Sequence, residues 1–182
     1  MFMHPTTGLT LSVDQHWGSR HGVLVAIGVA VNESRQSRFS KEIDIMSQLD
    51  ARFETPEFRA TRRAAAQWLL DKRPATDLVG HDATKALINF FETLAYLHRK
   101  GAVSTESVWH YFGSWLVPYH EACRIYVGER QQVDPNCYNE FGALYSAVFQ
   151  CEREKRDYVR TRDVVAPAAV TALLVDESTF AA

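Results

Sequence analysis

The side chains best placed for chemistry are a histidine and a cysteine three residues apart, His120 and Cys123. On a helix, residues at this spacing are neighbours, so the imidazole could contact the thiol and lower its pKa. Such a pair would supply a nucleophilic thiolate. Catalytic cysteine and histidine partners, however, usually come from different elements of a fold. We therefore expect Cys123 to be a buried thiol, with His120 at the edge of the same helical face.

Two further polar residues lie on the predicted third helix. A helical wheel drawn from Leu87 at about 100° per residue places His98 inside the apolar face and Glu92 at its edge. With His120 and Cys123 they form a candidate polar cluster between the third and fourth helices. The favoured interpretation of His98 is a hydrogen-bonded core histidine. Glu92 could form an ion pair with an arginine of the second helix.

Signatures of the common enzyme classes are absent from the sequence. It contains no G-x-x-x-x-G-K-[ST] loop, no G-x-G-x-x-G fingerprint and no G-x-S-x-G turn around a nucleophilic serine. It also lacks the Cys-x-x-Cys and Glu-x-x-His motifs of frequent metal sites. The sequence therefore predicts no catalytic residue, no cofactor and no metal.

Composition indicates one globular domain. The chain has 182 residues, of which 46% are hydrophobic, and its formal net charge of −2 predicts no attraction to nucleic acid. No secretory signal is recognisable at the N-terminus, and the cysteine count of three is odd. We therefore expect free thiols and a cytoplasmic location.

Apolar residues recur at helical spacing along most of the chain, and no convincing strand is found. The predicted fold class is all-α, an antiparallel bundle of about five helices with a long N-terminal helix. The predicted N-caps, from the first helix to the fifth, are Ser12, Thr55, Asp82, Ser104 and Asp134. Pro118 predicts a kink or break of the fourth helix near Ser114.

The predicted organisation is an N-terminal arm over 1–20, one helical domain over 21–160 and a C-terminal tail over 161–182. Within the domain, residues 52–73 carry six Lys and Arg against three Asp and Glu. The favoured interpretation of this segment, which includes Arg59, Arg62 and Arg63, is a solvated basic face.

An uncharged apolar segment, residues 22–31, raises the question of a membrane. A ten-residue helix extends about 15 Å, half of the roughly 30 Å hydrocarbon core, so burial against protein is favoured over spanning. We expect a dimer, or a contact with the C-terminal tail, through this segment. The candidate interface residues are Val23, Leu24, Ile27 and Val31. Association with the inner membrane through the N-terminus is the alternative.

A core motif with Phe90-Phe91-Glu92 is followed by a glycine stop at Gly101 and by the aromatic run Trp109-His110-Tyr111-Phe112. In these features, and in the segment from Leu49 to Arg63, the chain resembles an uncharacterised bacterial family of small helical proteins of unknown function. The resemblance covers about residues 40–150. Many relatives carry an N-terminal membrane helix, to which residues 22–31 would correspond. The family supplies no activity and no site residues.

The leading hypothesis is a non-enzymatic interaction or regulatory module that binds a protein partner or a second copy of itself. One alternative is a membrane-apposed sensor anchored by the N-terminal apolar segment. The other is an enzyme with a polar site in the bundle between the third and fourth helices.

Overall fold

A computed structural model of the chain describes residues 36–72, 76–156 and 166–179. Within these ranges the ordered elements are all helices and no strand occurs, which confirms the predicted all-α class. They form six helices rather than about five: α1 over 36–53, α2 Pro56–Leu70, α3 Leu78–Arg99, α4 Thr105–Val133, α5 Asn139–Arg156 and α6 Pro167–Thr179. None of the described helices is long and apolar enough to cross a membrane. The arm over 1–20 and the helix start at Ser12 fall outside the described residues.

The chain divides into two compact units, Met1–Ser40 and Lys41–Ala182. Of the first unit, the structure describes only residues 36–40. The second unit holds α2 to α6, the larger part of α1 and the hydrophobic core.

Side-chain caps start α2 and α4 where the sequence predicts them. Thr55 Oγ1 accepts the backbone N–H of Phe58 at 3.2 Å, and Pro56 stands in the first turn of α2. Ser104 Oγ accepts the backbone N–H of Ser107 at 3.1 Å. Both caps satisfy a first-turn N–H that has no partner inside its helix.

Glu42 of α1 reinforces the start of α4. Its Oε1 accepts the backbone N–H and the hydroxyl of Ser104 at 2.7 and 2.6 Å. Burial raises the pKa of Glu42, but hydrogen bonds from Ser104 and Ser107 outweigh burial and hold this pKa below its ordinary value. The ionised carboxylate therefore ties α1 to the loop between α3 and α4.

Two predicted helix starts were wrong. Asp77, rather than Asp82, caps α3, because its Oδ1 accepts the backbone N–H of Gly80 at 2.9 Å. Asp134 caps a turn instead of α5, since its Oδ1 accepts the N–H of Asn136 at 3.0 Å. The helix α5 begins only after Tyr138, whose φ is 60°.

Helix α4 continues through Pro118 as a single α-helix. Of the two outcomes predicted near Ser114, a kink or a break, the break does not occur. Proline removes one backbone hydrogen bond from a helix interior. Pro118 and its neighbours Val117 and Tyr119 are all buried, so core packing holds both sides of the proline in place.

Helix α2 packs against α3 and α6, α4 against α5 and α6, and α3 against α5. An aromatic cluster fills the centre: Phe53, Phe90, Phe91, Phe112 and Phe141. Trp68 is buried, whereas Trp109 and Trp115 are half-buried. The Trp109 indole donates a hydrogen bond to Glu152, which joins α4 to α5.

The segment predicted as a C-terminal tail over 161–182 contains α6. Its Leu174 and Glu177 are buried, and Val170 and Leu173 pack partly buried against the core. Helix α6 thus packs its buried residues against α2 and α4.

Candidate functional site

A buried ion pair joins α2 to α6. Arg62 and Glu177 are each 4% exposed, and Arg62 Nε lies 3.2 Å from Glu177 Oε2. The geometry leaves Nε–H without a hydrogen bond among the described residues. Tyr119 of α4 is fully buried, and its hydroxyl donates to the same Glu177 oxygen at 3.2 Å. Three helices therefore meet at one carboxylate oxygen.

Two aromatic rings enclose the guanidinium of Arg62. Its Cζ is 4.1 Å from the ring centroid of Phe53 and 4.8 Å from that of Trp115. The face of an aromatic ring attracts a cation most strongly where water is excluded, so the rings compensate part of the hydration that Arg62 loses. We call the surface formed by Phe53, Arg62, Trp115 and Tyr119 the Arg62 surface.

Glu54, in the turn between α1 and α2, supplies a second carboxylate. Its Oε1 lies 3.2 Å from Arg62 Nη1, and its Oε2 lies 2.7 Å from Arg59 Nη2. The side chains of Arg59 and Glu54 are 40% and 37% exposed. Water screens this outer pair, whereas the inner pair of Arg62 and Glu177 is shielded from solvent.

Burial dominates the proton affinities at the site. It raises the pKa of the Glu177 carboxyl, although Arg62 and Tyr119 partly lower it. Burial and the neighbouring Glu177 raise the pKa of Tyr119 well above its ordinary value, so the hydroxyl remains a donor. Arginine stays protonated in proteins. A fixed cation and a fixed hydroxyl donor suit the site to holding a carboxylate.

Glu92 belongs to the predicted polar cluster. Its partner is the backbone of α5 and not an arginine of α2. Its Oε2 accepts the backbone N–H of Phe141 at 2.7 Å, at the start of α5. The arginines Arg59 and Arg62 pair with Glu54 and Glu177 instead. Glu92 therefore acts as a helix cap supplied by another helix.

His120 lies on an aromatic surface of α5. Its ring stacks on Tyr145, with 3.8 Å between centroids, and meets Phe141 edge-on at 5.0 Å. Nδ1 is buried and lies 3.8 Å from Glu121 Oε1, beyond hydrogen-bond distance. Burial lowers the pKa of His120, although Glu121 partly raises it. The neutral imidazole is the form that fits this environment.

His98 and Cys123 occupy other places. His98 Nε2 lies 2.8 Å from the hydroxyl of Thr105, so the predicted core histidine has a hydrogen-bond partner. Thr105 and His120 are separated along α4 by about 22 Å at 1.5 Å per residue, so the two histidines do not share a site. Cys123 is buried in the core. Glu92 and His120 are the two cluster residues that the structure brings together, since both contact Phe141.

The candidate interface residues Val23, Leu24, Ile27 and Val31 lie outside the described residues. Among those that the structure describes, no three His, Cys, Asp or Glu side chains are grouped so that they could hold a metal ion. Cys137 and Cys151 are free thiols.

The sequence interpretation missed the Arg62 surface by assigning its arginine to a solvated basic face. A usable signal was present in the helical spacing. Arg62 lies three and four residues before the buried Ala65 and Ala66, and therefore on the apolar side of α2. Glu177 likewise follows the buried Leu174 by three residues.

Comparison with known proteins gives one family. A family described as "Domain of unknown function (DUF4760)" matches residues 21–148, which span most of α1 to α5 and stop before α6. No curated protein and no solved structure matches the chain. The matched segment confirms the resemblance to a family of unknown function inferred from the core motif and extends it to residue 21. The chain therefore belongs to the DUF4760 family.

Proposed function

We propose that the domain is a non-enzymatic interaction module, an antiparallel helical bundle whose Arg62 surface binds an apolar helix that carries a carboxylate. The observation behind this proposal is that α6 occupies the surface in this way, with Glu177 buried against Arg62 and Tyr119. A helix from a partner protein would need the same two features, an apolar face and one acidic side chain.

Charge makes the surface selective. An apolar helix without a carboxylate would leave the Arg62 guanidinium buried beside Phe53 and Trp115 without its inner partner. Breaking a buried ion pair in this way costs about 3–5 kcal/mol. Helices of similar hydrophobicity would therefore be distinguished by a single side chain.

The connectivity of α6 supports its role as a stand-in for a partner. Residues 157–166 connect it to α5, yet its main packing partners are α2 and α4. It also lies beyond residues 21–148, which match the family. The packing of α2 on α3, of α3 on α5 and of α4 on α5 does not involve α6, so these contacts could persist when another helix occupies the Arg62 surface.

Other features agree with a module of this kind. The short connection between Arg99 and Thr105 supports antiparallel packing of α3 and α4. His98 and His120 are held in separate contacts, which does not favour an enzyme site between these helices. The free thiols of Cys137 and Cys151 support a reducing, cytoplasmic location.

A labelled peptide of residues 166–179 tests the proposal by fluorescence anisotropy. Its binding is measured to the full-length Glu177→Arg chain, whose own α6 is repelled by Arg62, after circular dichroism has established that this chain is helical. We expect binding to be at least about tenfold weaker for the Glu177→Gln peptide, which loses a charge-assisted contact. The Asp176→Asn peptide is the matched control, since Asp176 is exposed.

Equal binding of the native and Glu177→Gln peptides would contradict recognition of the carboxylate. No binding of any peptide to the helical chain would contradict the docking surface itself. The wild-type chain should bind the native peptide more weakly than the Glu177→Arg chain, because its own α6 competes.

A further inference from the structure

We propose that the Arg62 surface accepts a glutamate but not an aspartate from the helix that it binds, and that Tyr119 makes this distinction. This inference rests on the proposed function and names the kind of helix that fits the surface. A partner would be recognised by the length of one acidic side chain as well as by its charge.

The buried face of α6 defines the pattern that a partner helix must match. Leu174 and Glu177 are buried, and Val170 and Leu173 pack partly buried against the core. These residues stand at positions i, i+3, i+4 and i+7, which share one side of a helix. The positions between them are exposed: Thr171, Ala172, Val175 and Asp176. A partner therefore needs apolar residues seven, four and three positions before its glutamate, and its outward positions are free to vary.

The two groups that face the carboxylate are fixed in place. The guanidinium of Arg62 lies between the rings of Phe53 and Trp115, with its Cζ 4.1 and 4.8 Å from their centroids. Tyr119 is fully buried, and its hydroxyl stands at the end of a rigid ring. Because a packed core leaves buried side chains little room to move, neither group can follow a carboxylate that stops short of it.

The bound helix is also held at a fixed distance. Leu174 is 6% exposed and packs against the core, so the α6 backbone cannot move closer without overlap of side chains. Glu177 Oε2 lies 3.2 Å from Arg62 Nε and 3.2 Å from the Tyr119 hydroxyl. An aspartate is shorter by one carbon–carbon bond, about 1.5 Å. Its oxygens would stop beyond hydrogen-bond distance of the hydroxyl, which would be left buried without an acceptor.

Charge alone would not separate the two acids. The attraction between Arg62 and a carboxylate falls gradually with distance, whereas the hydrogen bond from Tyr119 is lost once the oxygens are more than about 3.5 Å apart. Arg62 therefore selects for a negative charge, and Tyr119 selects for the side chain that is long enough to reach it.

Labelled peptides of residues 166–179 test the inference by fluorescence anisotropy against the full-length Glu177→Arg chain. We expect the Glu177→Asp peptide to bind at least about tenfold more weakly than the native peptide, because a buried donor loses its acceptor. The Asp176→Glu/Glu177→Asp peptide has the native composition and net charge and should be as weak. The Asp176→Glu peptide, changed at an exposed position, is the control and should bind like the native one. Circular dichroism of each peptide corrects for differences in helix content.

Tyr119→Phe, added to the same chain, tests the source of the selectivity. Loss of the hydroxyl should weaken binding of the native peptide and leave that of the Glu177→Asp peptide unchanged. The ratio of their Kd values should therefore fall by at least about threefold. A purely structural role of Tyr119 would weaken both peptides by the same factor, and this result would overturn its assignment.

Urea unfolding of the full-length chain tests the same requirement in α6 itself. Glu177→Asp should lower the midpoint, whereas Asp176→Glu should leave it unchanged, because only the first change shortens a side chain that reaches Tyr119. An unchanged midpoint for Glu177→Asp would contradict the need for a glutamate.

These outcomes separate the inference from the proposed function. A Glu177→Asp peptide that loses less than about tenfold in affinity would overturn the inference. The docking surface would remain in place if the Glu177→Gln peptide still bound more weakly than the native one. No binding of any peptide would overturn the proposed function, and the urea midpoint of Glu177→Asp would then decide whether α6 itself requires a glutamate.

Discussion

Glu92 of α3 caps the first turn of α5 by accepting the backbone N–H of Phe141 at 2.7 Å. A carboxylate at this position also lies near the positive end of the helix dipole. Burial raises the pKa of Glu92, although the N–H groups of Phe141 and Glu140 partly lower it. The start of α5 therefore depends on a residue from a different helix.

Replacing Glu92 with alanine should lower the free energy of unfolding by about 1–2 kcal/mol, because the Phe141 N–H loses its acceptor. Glu92→Gln keeps an acceptor oxygen and should cost less. Urea unfolding followed by circular dichroism measures both. Glu140→Ala is the control, since it breaks a partly exposed ion pair with Arg99 and should cost less than about 1 kcal/mol. Equal costs for Glu92→Ala and Glu140→Ala would refute the capping role.

The inner ion pair should be much more sensitive than the outer one. Arg62→Met leaves Glu177 buried without its cation and should cost about 3–5 kcal/mol. The double variant Arg62→Met/Glu177→Leu removes both charges and should recover part of this loss. Arg59→Met, at the outer pair with Glu54, should cost less than about 1 kcal/mol. A double variant less stable than Arg62→Met would speak against an unpaired charge as the cause.

The aromatic core predicts a large effect at Phe91. This residue is fully buried and stacks on Phe141 with 5.5 Å between ring centroids and 7° between ring planes. Phe91→Ala should lower the free energy of unfolding by about 3–5 kcal/mol, because a cavity replaces the ring. Tyr96→Ala, at an exposed position of the same helix, should have a small effect. An unchanged denaturation midpoint for Phe91→Ala would show that the core is assigned wrongly.

His120 should make stability depend on pH below its ordinary pKa of 6.5. Burial lowers this pKa in the folded state, so the unfolded chain takes up a proton first as the pH falls. The stability from the neutral imidazole is complete above pH 6.5 and declines below it.

Between pH 7 and about pH 5, the urea midpoint of the wild-type chain should therefore fall more than that of His120→Phe. Comparing the two chains removes the contribution of Glu92 and Glu177, whose raised pKa values act in the opposite direction. His110→Gln, at an exposed position of the same helix, serves as the control. Parallel pH profiles for wild type and His120→Phe would exclude this role.

Two glycines should respond in opposite directions to alanine. A Cβ at Gly80 would lie 2.5 Å from Trp68 Cβ, which cannot move without its backbone. Gly80→Ala should therefore destabilise by about 1–3 kcal/mol. At Gly128 of α4, an alanine methyl would meet no side chain within 4 Å. Gly128→Ala should stabilise by up to about 1 kcal/mol in thermal unfolding, and a stabilising Gly80→Ala would contradict the packing of α3 on Trp68.

The starts of α2 and α4 could be predicted from the sequence because Thr55 and Ser104 cap the turns that immediately follow them. The start of α5 could not, since its cap Glu92 lies 49 residues before Phe141. The capping pattern at Asp134 does correspond to a side-chain cap, but Asp134 caps a turn and not a helix. Local rules thus identify an element whose cap is local, and fail where tertiary structure supplies the cap.

The candidate site shows the same limit. Helical spacing contains the information that Arg62 lies on the apolar side of α2, yet only the folded chain shows which acid it meets. Its partner belongs to a helix that the sequence interpretation treated as a tail. Arg59 and Arg62 are of the same type but differ in burial. Arg59 pairs with Glu54 in an exposed turn, whereas α6 covers Arg62.

The contact between Tyr119 and Glu177 can form only late in the synthesis of the chain. These residues are 58 apart in the sequence, which a ribosome covers in about 3–12 s at roughly 5–20 residues per second. During that interval the nascent chain already contains Arg62, Tyr119 and the rings that enclose the guanidinium, while Glu177 has not yet been made. The inner partner of Arg62 is thus missing until late in translation, and the contacts that join α2 and α4 to α6 are among the last that can form.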